Sequence, residues 1–218
     1  MTVLAVAHRA GNSLAGLHEA NRVGVDIVEC DVHDHRGRLE VRHLKTAGPL
    51  PFLWDRWELA SASAPRLGLA ELLDAGRREV TFMLDLKGRR TSAGRAVAEL
   101  IHEDGHHRDV LVCGRHWPSV QAVAVLPYVR PVLSARTNGE LARLRKLLQS
   151  GSGVPPAGLS VHRSLLDAAT VTRLRQRVDL LMTWPVDDVT TLDRMVDIGV
   201  SGIISDSPQV LSELIGRR

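Results

Sequence analysis

Short β-branched runs alternate along the chain with stretches whose apolar residues recur three and four positions apart. Eight runs read as strands, at 3–8, 26–33, 80–87, 110–115, 131–136, 158–162, 179–184 and 201–205. The stretches between them read as helices. In the first, Asn12 is placed to cap the N-terminus, Leu14, Leu17, Ala20 and Val23 share one face, and Gly24 suits the C-terminal end. Ser92 is placed to cap the next clear helix, with Ala96, Leu100 and Ile101 turned inward. Further helical stretches cover 117–128, 138–149, 164–177, 189–198 and 209–215. Strands alternating with helices imply βαβ units and a parallel sheet, and eight of them imply a closed (β/α)8 TIM barrel.

One region breaks the rhythm. After 26–33 come a turn at His35-Arg36-Gly37-Arg38 and a further strand-like run over 39–43. From about 44 to 66 the chain carries Pro49, Pro51 and Pro65 and no period, until a short helix near 67–75. This reads as a short insertion between the second and third barrel strands, and loops of such length usually cover a site. Nothing in composition divides the chain, since Gly151-Ser152-Gly153-Val154-Pro155-Pro156 reads as one αβ loop. A single domain over 1–218 is expected.

Composition removes several classes. Hydrophobic residues make up 44% of the 218 and aromatics only 3%, so the core is to be built from Leu, Val, Ala and Ile, and disorder is excluded. No stretch approaches the ~20 apolar residues of a membrane span. The first residues lack the basic segment of a signal peptide, and two cysteines, Cys30 and Cys113, fit a reducing cytoplasm better than a disulfide framework. The net charge is +3, with 28 Lys and Arg interspersed among 25 acids. Without a basic run or stacking aromatics this argues against nucleic acid, and a modest positive balance also suits a small anionic substrate.

In a barrel of this kind the site lies at the C-terminal ends of the strands. The first strand ends in His8-Arg9. The second alternates Glu29 and Asp31 with Val28, Cys30 and Val32. Residues two apart in a strand share a face about 6.6 Å apart, so both acids are expected to point into the barrel mouth. Asp85 and Lys87 repeat the device on the third strand, and later strands end in Arg115, Arg136, His162, Trp184 and Ser205-Asp206. Three converging acids repel one another. Either a hard divalent cation, Mg²⁺ or Ca²⁺, offsets them, or they form a structural network with Lys87, Arg9 and Arg115. No Cys/His spacing for zinc is present. Of ten histidines, His8 and His43 end strand-like runs where they could face the acids and serve as acid and base. His18 and His102 fall on helices, and His35, His106 and His107 in turns.

The order His8-Arg9, Glu29-Cys30-Asp31-Val32, a Gly-containing turn, Val41-Arg42-His43 and Leu84-Asp85-Leu86-Lys87-Gly88 resembles the glycerophosphodiester phosphodiesterase family. Trp184-Pro185-Val186-Asp187 and Gly202-Ile203-Ile204-Ser205-Asp206-Ser207-Pro208 extend the likeness to the last strand. The resemblance implies a TIM-barrel phosphoric diester hydrolase that releases glycerol 3-phosphate and an alcohol. It implies that Glu29, Asp31 and Asp85 hold the divalent cation and that His8 and His43 are general acid and base. It also implies that Arg9 and Lys87 neutralise the phosphate and that Trp184 lines the alcohol side of the pocket.

The chain departs from the family pattern around that core. Ala10 stands where Gly is usual, Gly11-Asn12-Ser13 shortens the next loop and lacks its acid, Leu44 replaces the acid after His43, and Asp85 replaces Glu. These changes bear on substrate and metal more than on reaction type. A lipid substrate, as for lysophospholipase D or sphingomyelinase D, is the alternative. Leu50, Phe52, Leu53, Trp54 and Trp57 of the insertion are consistent with a lipid-facing lid or with a small packed subdomain. A barrel that only binds a phosphorylated ligand is a third reading.

Overall fold

The computed structural model describes residues 2–48, 50–55, 58–76, 80–103, 109–151 and 154–218. Trp57, His106 and His107 lie outside them. Eight parallel strands close into a barrel: β1 (Leu4–Ala7), β2 (Ile27–His35), β7 (Thr81–Leu86), β8 (Val110–Gly114), β9 (Val129–Ala135), β10 (Gly158–His162), β11 (Leu180–Trp184) and β12 (Gly202–Ser205). Closure comes from β1, which pairs in parallel with both β12 and β2. Helices α1 (Leu14–Val23), α3 (Thr91–Glu103), α4 (Trp117–Val123), α5 (Asn138–Ser150), α6 (Ala168–Arg175), α7 (Val189–Asp197) and α8 (Pro208–Gly216) follow successive strands. The (β/α)8 architecture expected from the alternation is therefore the one observed.

The core has two layers because each strand offers two faces. Val6, Ile27, Met83, Leu111, Cys113, Val132, Met182 and Ile204 fill the barrel interior. Val28, Cys30, Val32, Leu84, Leu86, Val112 and Leu159 point outward against Leu17, Val97, Leu144, Leu192 and Leu211 of the helices. Burial of this kind stabilises by roughly 25 cal/mol per Å² of apolar surface. Few aromatics are needed, because branched aliphatic side chains fill both layers.

Local detail departs from expectation at four places. Ser13, not Asn12, caps α1, its hydroxyl accepting from the Gly16 amide at 3.0 Å. Ser92 lies inside α3, which begins one residue earlier, and its hydroxyl donates to Asp34 instead of capping. The helix expected over 117–128 stops at Val123, and the one over 164–177 divides into a 3-10 turn at Arg163–Leu165 and α6. Gly24 does end α1, at φ 80°, where glycine carries no Cβ penalty.

The region after β2 is more ordered than its sequence suggests. β2 runs on to His35 and turns through Arg36 (φ 53°) and Gly37 (φ 78°), both left-handed as a tight hairpin requires. It returns as β3 (Arg38–Val41), antiparallel to β2. The insertion then forms a three-stranded antiparallel sheet of β4 (Lys45–Thr46), β5 (Phe52–Trp54) and β6 (Leu59–Ser61). Strands of two or three residues are too short to print a period. Leu44 and Leu53 are buried while Leu50, Trp54 and Leu59 are exposed, so the insertion is a packed piece with an apolar outer edge. Helix α2 (Leu69–Ala75) leads back to the barrel.

Candidate active site

The acids expected in the barrel mouth are there. The outward placement of Val28, Cys30 and Val32 leaves Glu29 and Asp31 facing inward with Ile27. Asp31 is in register with Asp85 on the adjacent β7. Glu29 and Asp31 are buried, and carboxylate oxygens of Glu29, Asp31 and Asp85 all lie within 4.8 Å of one another. The Lys87 ammonium contacts both Asp31 and Asp85.

The electrostatics of this group are those of excess negative charge under a low-dielectric wall. Burial, and then the charge of Asp31, push Glu29 up to about 7. Burial acts on Asp31 in the same sense, but hydrogen bonding from His43 and the charge and hydrogen bond of Lys87 hold it well below the usual carboxylate range. Lys87 in turn is raised by Asp85, Asp31 and Glu29 against its own desolvation. Three carboxylates against the Lys87 ammonium and, at 3.9 Å from Asp31, the Arg9 guanidinium leave room for further positive charge. The donor set is all oxygen, which fits a hard divalent cation and not a soft one.

The two histidines flank the acids on separate elements. His8 follows β1, its amide donating to Ser205 O at 2.9 Å. Its Nδ1 lies 3.0 Å from Asp206 Oδ2, and its Nε2 lies 4.0 Å from Glu29. Burial alone lowers His8, but the hydrogen bond of Asp206 and the charges of Glu29 and Asp206 outweigh it, and the net shift is upward. His43 follows β3, with Nδ1 3.1 Å from Asp31 and Nε2 3.1 Å from Asp55 of the insertion. The Arg42–Glu40 pair anchors its approach: both side chains are buried, 2.7 Å apart, and Arg42 also donates to Leu44 O.

Arg9 and Trp184 complete the set. Arg9 adopts φ 56°, an uncommon left-handed conformation for a residue with a Cβ. That turn aims its amide at Glu29, at 2.6 Å, and its guanidinium Nε reaches within 3.9 Å of Asp31. Trp184 ends β11 and meets His162 edge to face at 5.1 Å. A cleft of about 980 Å³ is lined by His8, Arg9, Glu29, His43, Asp85, Lys87 and Trp184 among others, while Asp31 is buried and does not line it.

Of the network considered from the sequence, Lys87 and Arg9 do meet the acids, whereas Arg115 turns away to Glu140 at 2.6 Å. Three participants were not singled out. Asn12 accepts from the Asp31 amide and donates to Asp31 Oδ2, both at 2.8 Å. Its place before a helix reads as a cap, and only the fold-back of the β1–α1 loop brings its side chain to Asp31 instead. Asp55 lies in the stretch without period. Asp206 was visible as a strand-end acid but carried no role. Burial, then Arg42, lower His33 to about 3, so this cleft histidine is neutral near pH 7.

A scan against protein-family models and a search of curated proteins each return no match. Solved structures do match. One is a phosphodiesterase from Oleispira antarctica in complex with its product sn-glycerol 3-phosphate. It is 18% identical with a TM-score of 0.76, and the match covers 98% of this chain and 96% of that one. Glycerophosphodiester phosphodiesterases from Parabacteroides distasonis (19%, TM-score 0.73) and Thermotoga maritima (14%, TM-score 0.74) each match over 100% of this chain and 99% of theirs. At these identities the likeness establishes a shared fold along the whole chain.

Proposed function

We propose that this chain is a metal-dependent glycerophosphodiester phosphodiesterase, a single-domain hydrolase that releases glycerol 3-phosphate and an alcohol. The observation that carries this reading is the trio Glu29, Asp31 and Asp85 within 4.8 Å, flanked by His8 and His43 at the mouth of the barrel. The glycerophosphodiester phosphodiesterases among its structural neighbours, one phosphodiesterase holding glycerol 3-phosphate, support the substrate class.

Glu29, Asp31 and Asp85 would hold a divalent cation, Mg²⁺ or Ca²⁺, which when bound supplies Lewis-acid stabilisation of charge on the phosphoryl oxygens. Lys87 and Arg9 add fixed positive charge beside the same oxygens. One histidine removes the proton from the attacking water as the new P–O bond forms, and the other delivers a proton to the alkoxide oxygen that leaves as the alcohol when its P–O bond breaks. Asp206 on Nδ1 fixes the ring of His8 and leaves Nε2 toward the site. Asp31 does the same for His43 through Nδ1, and Asp55 occupies its Nε2, so His43 must part from Asp55 to exchange a proton with substrate. Trp184 lines the alcohol side of the cleft. The partner is thus a small phosphodiester rather than nucleic acid. No helix among the described residues is long and apolar enough to cross a membrane. The free, buried Cys30 and Cys113 support a cytoplasmic location as part of this reading.

The test is hydrolysis of glycerophosphocholine and glycerophosphoethanolamine in EDTA, then with added Mg²⁺ or Ca²⁺. Metal-restored release of glycerol 3-phosphate, lost in His8→Ala and in His43→Ala, is expected. Full turnover in EDTA, or in either variant, refutes the corresponding part. The exposed Leu50, Trp54 and Leu59 favour a lysophospholipid as the second reading, and turnover of that substrate alone would establish it.

A further inference from the structure

Beyond the carboxylates, the cleft continues over the ends of β7, β8 and β9, and its wall there is cationic. Arg89 follows β7, Arg115 follows β8, Arg136 follows β9, and Arg143 projects from α5. The wall begins next to the acids: a Cβ on Gly114, the residue before Arg115, would lie 3.7 Å from Asp85 Oδ1. Lys45 of the insertion faces the same cleft.

The acid of this wall is Glu140, and it is already committed. One oxygen accepts from Arg115 Nε and Nη2 at 2.9 and 2.6 Å. The other accepts from the amides of Arg136 and Thr137 at 2.8 and 3.0 Å, closing the capping box of α5. Among the described residues no carboxylate pairs with Arg89, Arg136 or Arg143. Arg143 is also held in place. Its guanidinium carbon lies 4.0 Å from the ring centroid of Trp117, a buried plate whose indole N–H donates to Ser134 O at 3.0 Å. A guanidinium fixed on an aromatic face loses little freedom when an anion binds. Uncompensated cations on one side of a cleft also focus the field on anionic ligands.

We infer that this wall is a second anion subsite, and that the preferred phosphodiester carries a further phosphate or carboxylate on its alcohol, which reaches from Trp184 at the end of β11 along the same cleft to the ends of β7, β8 and β9. The inference rests on the phosphodiesterase reading and gives it a substrate class. Diesters of choline or ethanolamine bring a positive charge to a positive wall and are poorer substrates than a diester whose alcohol is anionic. A neutral alcohol such as glycerol lies between them.

The test compares ligands differing by one anionic group, in wild type and in the double variant Arg136→Gln, Arg143→Gln. Calorimetry measures sn-glycerol 3-phosphate against glycerol 1,3-bisphosphate. Kinetics measure kcat/KM for glycerophosphoglycerol against its terminal phosphate monoester. In wild type the added phosphate is expected to improve both quantities by about tenfold or more, the scale of one charge-assisted hydrogen bond. In the variant the ratio falls toward one. A ratio taken within one protein is insensitive to partial loss of folded material. Preference for the bisphosphate with no diester turned over supports the subsite and refutes the phosphodiesterase reading. Turnover of both diesters with a ratio near one in wild type, or a ratio unchanged in the variant, overturns the subsite and leaves that reading standing.

Discussion

Asn12→Ala removes two hydrogen bonds from one buried acid. The side-chain amide donates to Asp31 Oδ2 and its oxygen accepts from the Asp31 amide, each at 2.8 Å, and Asp31 is fully buried. A hydrogen bond to a charged group contributes roughly 1.5–3 kcal/mol and a neutral one about 1, while a buried amide left without a partner adds its own desolvation penalty. A loss of about 3 kcal/mol is expected, which in a chain of this size is a fall in Tm of roughly 6–12 °C. Urea unfolding in chelator measures it directly. The difference has a pH signature. Asp31 is held below its ordinary pKa, so it contributes stability that is present above the unfolded carboxylate pKa and is lost as pH falls. Asn12 supports the charged form, so the gap between wild type and variant narrows in acid. In the same variant, affinity for Mg²⁺ or Ca²⁺ by calorimetry is expected to fall by about 10–100-fold, the usual cost of removing an outer partner of a metal ligand. Stability within about 0.5 kcal/mol of wild type would refute the reasoning.

Three further outcomes follow from single contacts. Arg42→Ala strands the buried Glu40 charge and should cost about 3–5 kcal/mol in urea unfolding, whereas Glu40→Leu with Arg42→Met should recover most of it. Gly94→Ala places a Cβ 2.1 Å from Ser119 O, so α3 and α4 must separate, and a loss of about 1–3 kcal/mol is expected by the same measurement. Asp206→Asn removes the partner that, with Glu29, raises His8 against its own burial. Its ring should therefore titrate at lower pH than in wild type, read by NMR in chelator.

The barrel was legible in the sequence because its physics is local. A strand with both faces covered needs apolar side chains throughout, so the eight runs stand out from the polar loops. Where Glu29, Asp31 and Asp85 interrupt that pattern at period two, the interruption itself marks the inward face. Caps were harder to read. Asn12 and Ser13 both suit the start of α1, and the hydrogen bond to Asp31, about twenty residues on, decides which one caps the helix. The insertion was opaque for a different reason: a strand of two or three residues has no period, and its pairing partners set its structure.

What the order of residues alone determined is which side chains reach the open end of the barrel, since alternation along a strand and the parallel register leave each acid one face to occupy. What only the tertiary structure decided is who meets whom there. His8 finds Asp206 because β1 closes on β12 nearly two hundred residues later, His43 finds Asp55 through the insertion, and Arg115 turns from the acids to Glu140 at the start of α5. Those contacts join charges far apart in sequence, and their partners follow from distance in the folded chain, on which the local pattern is silent.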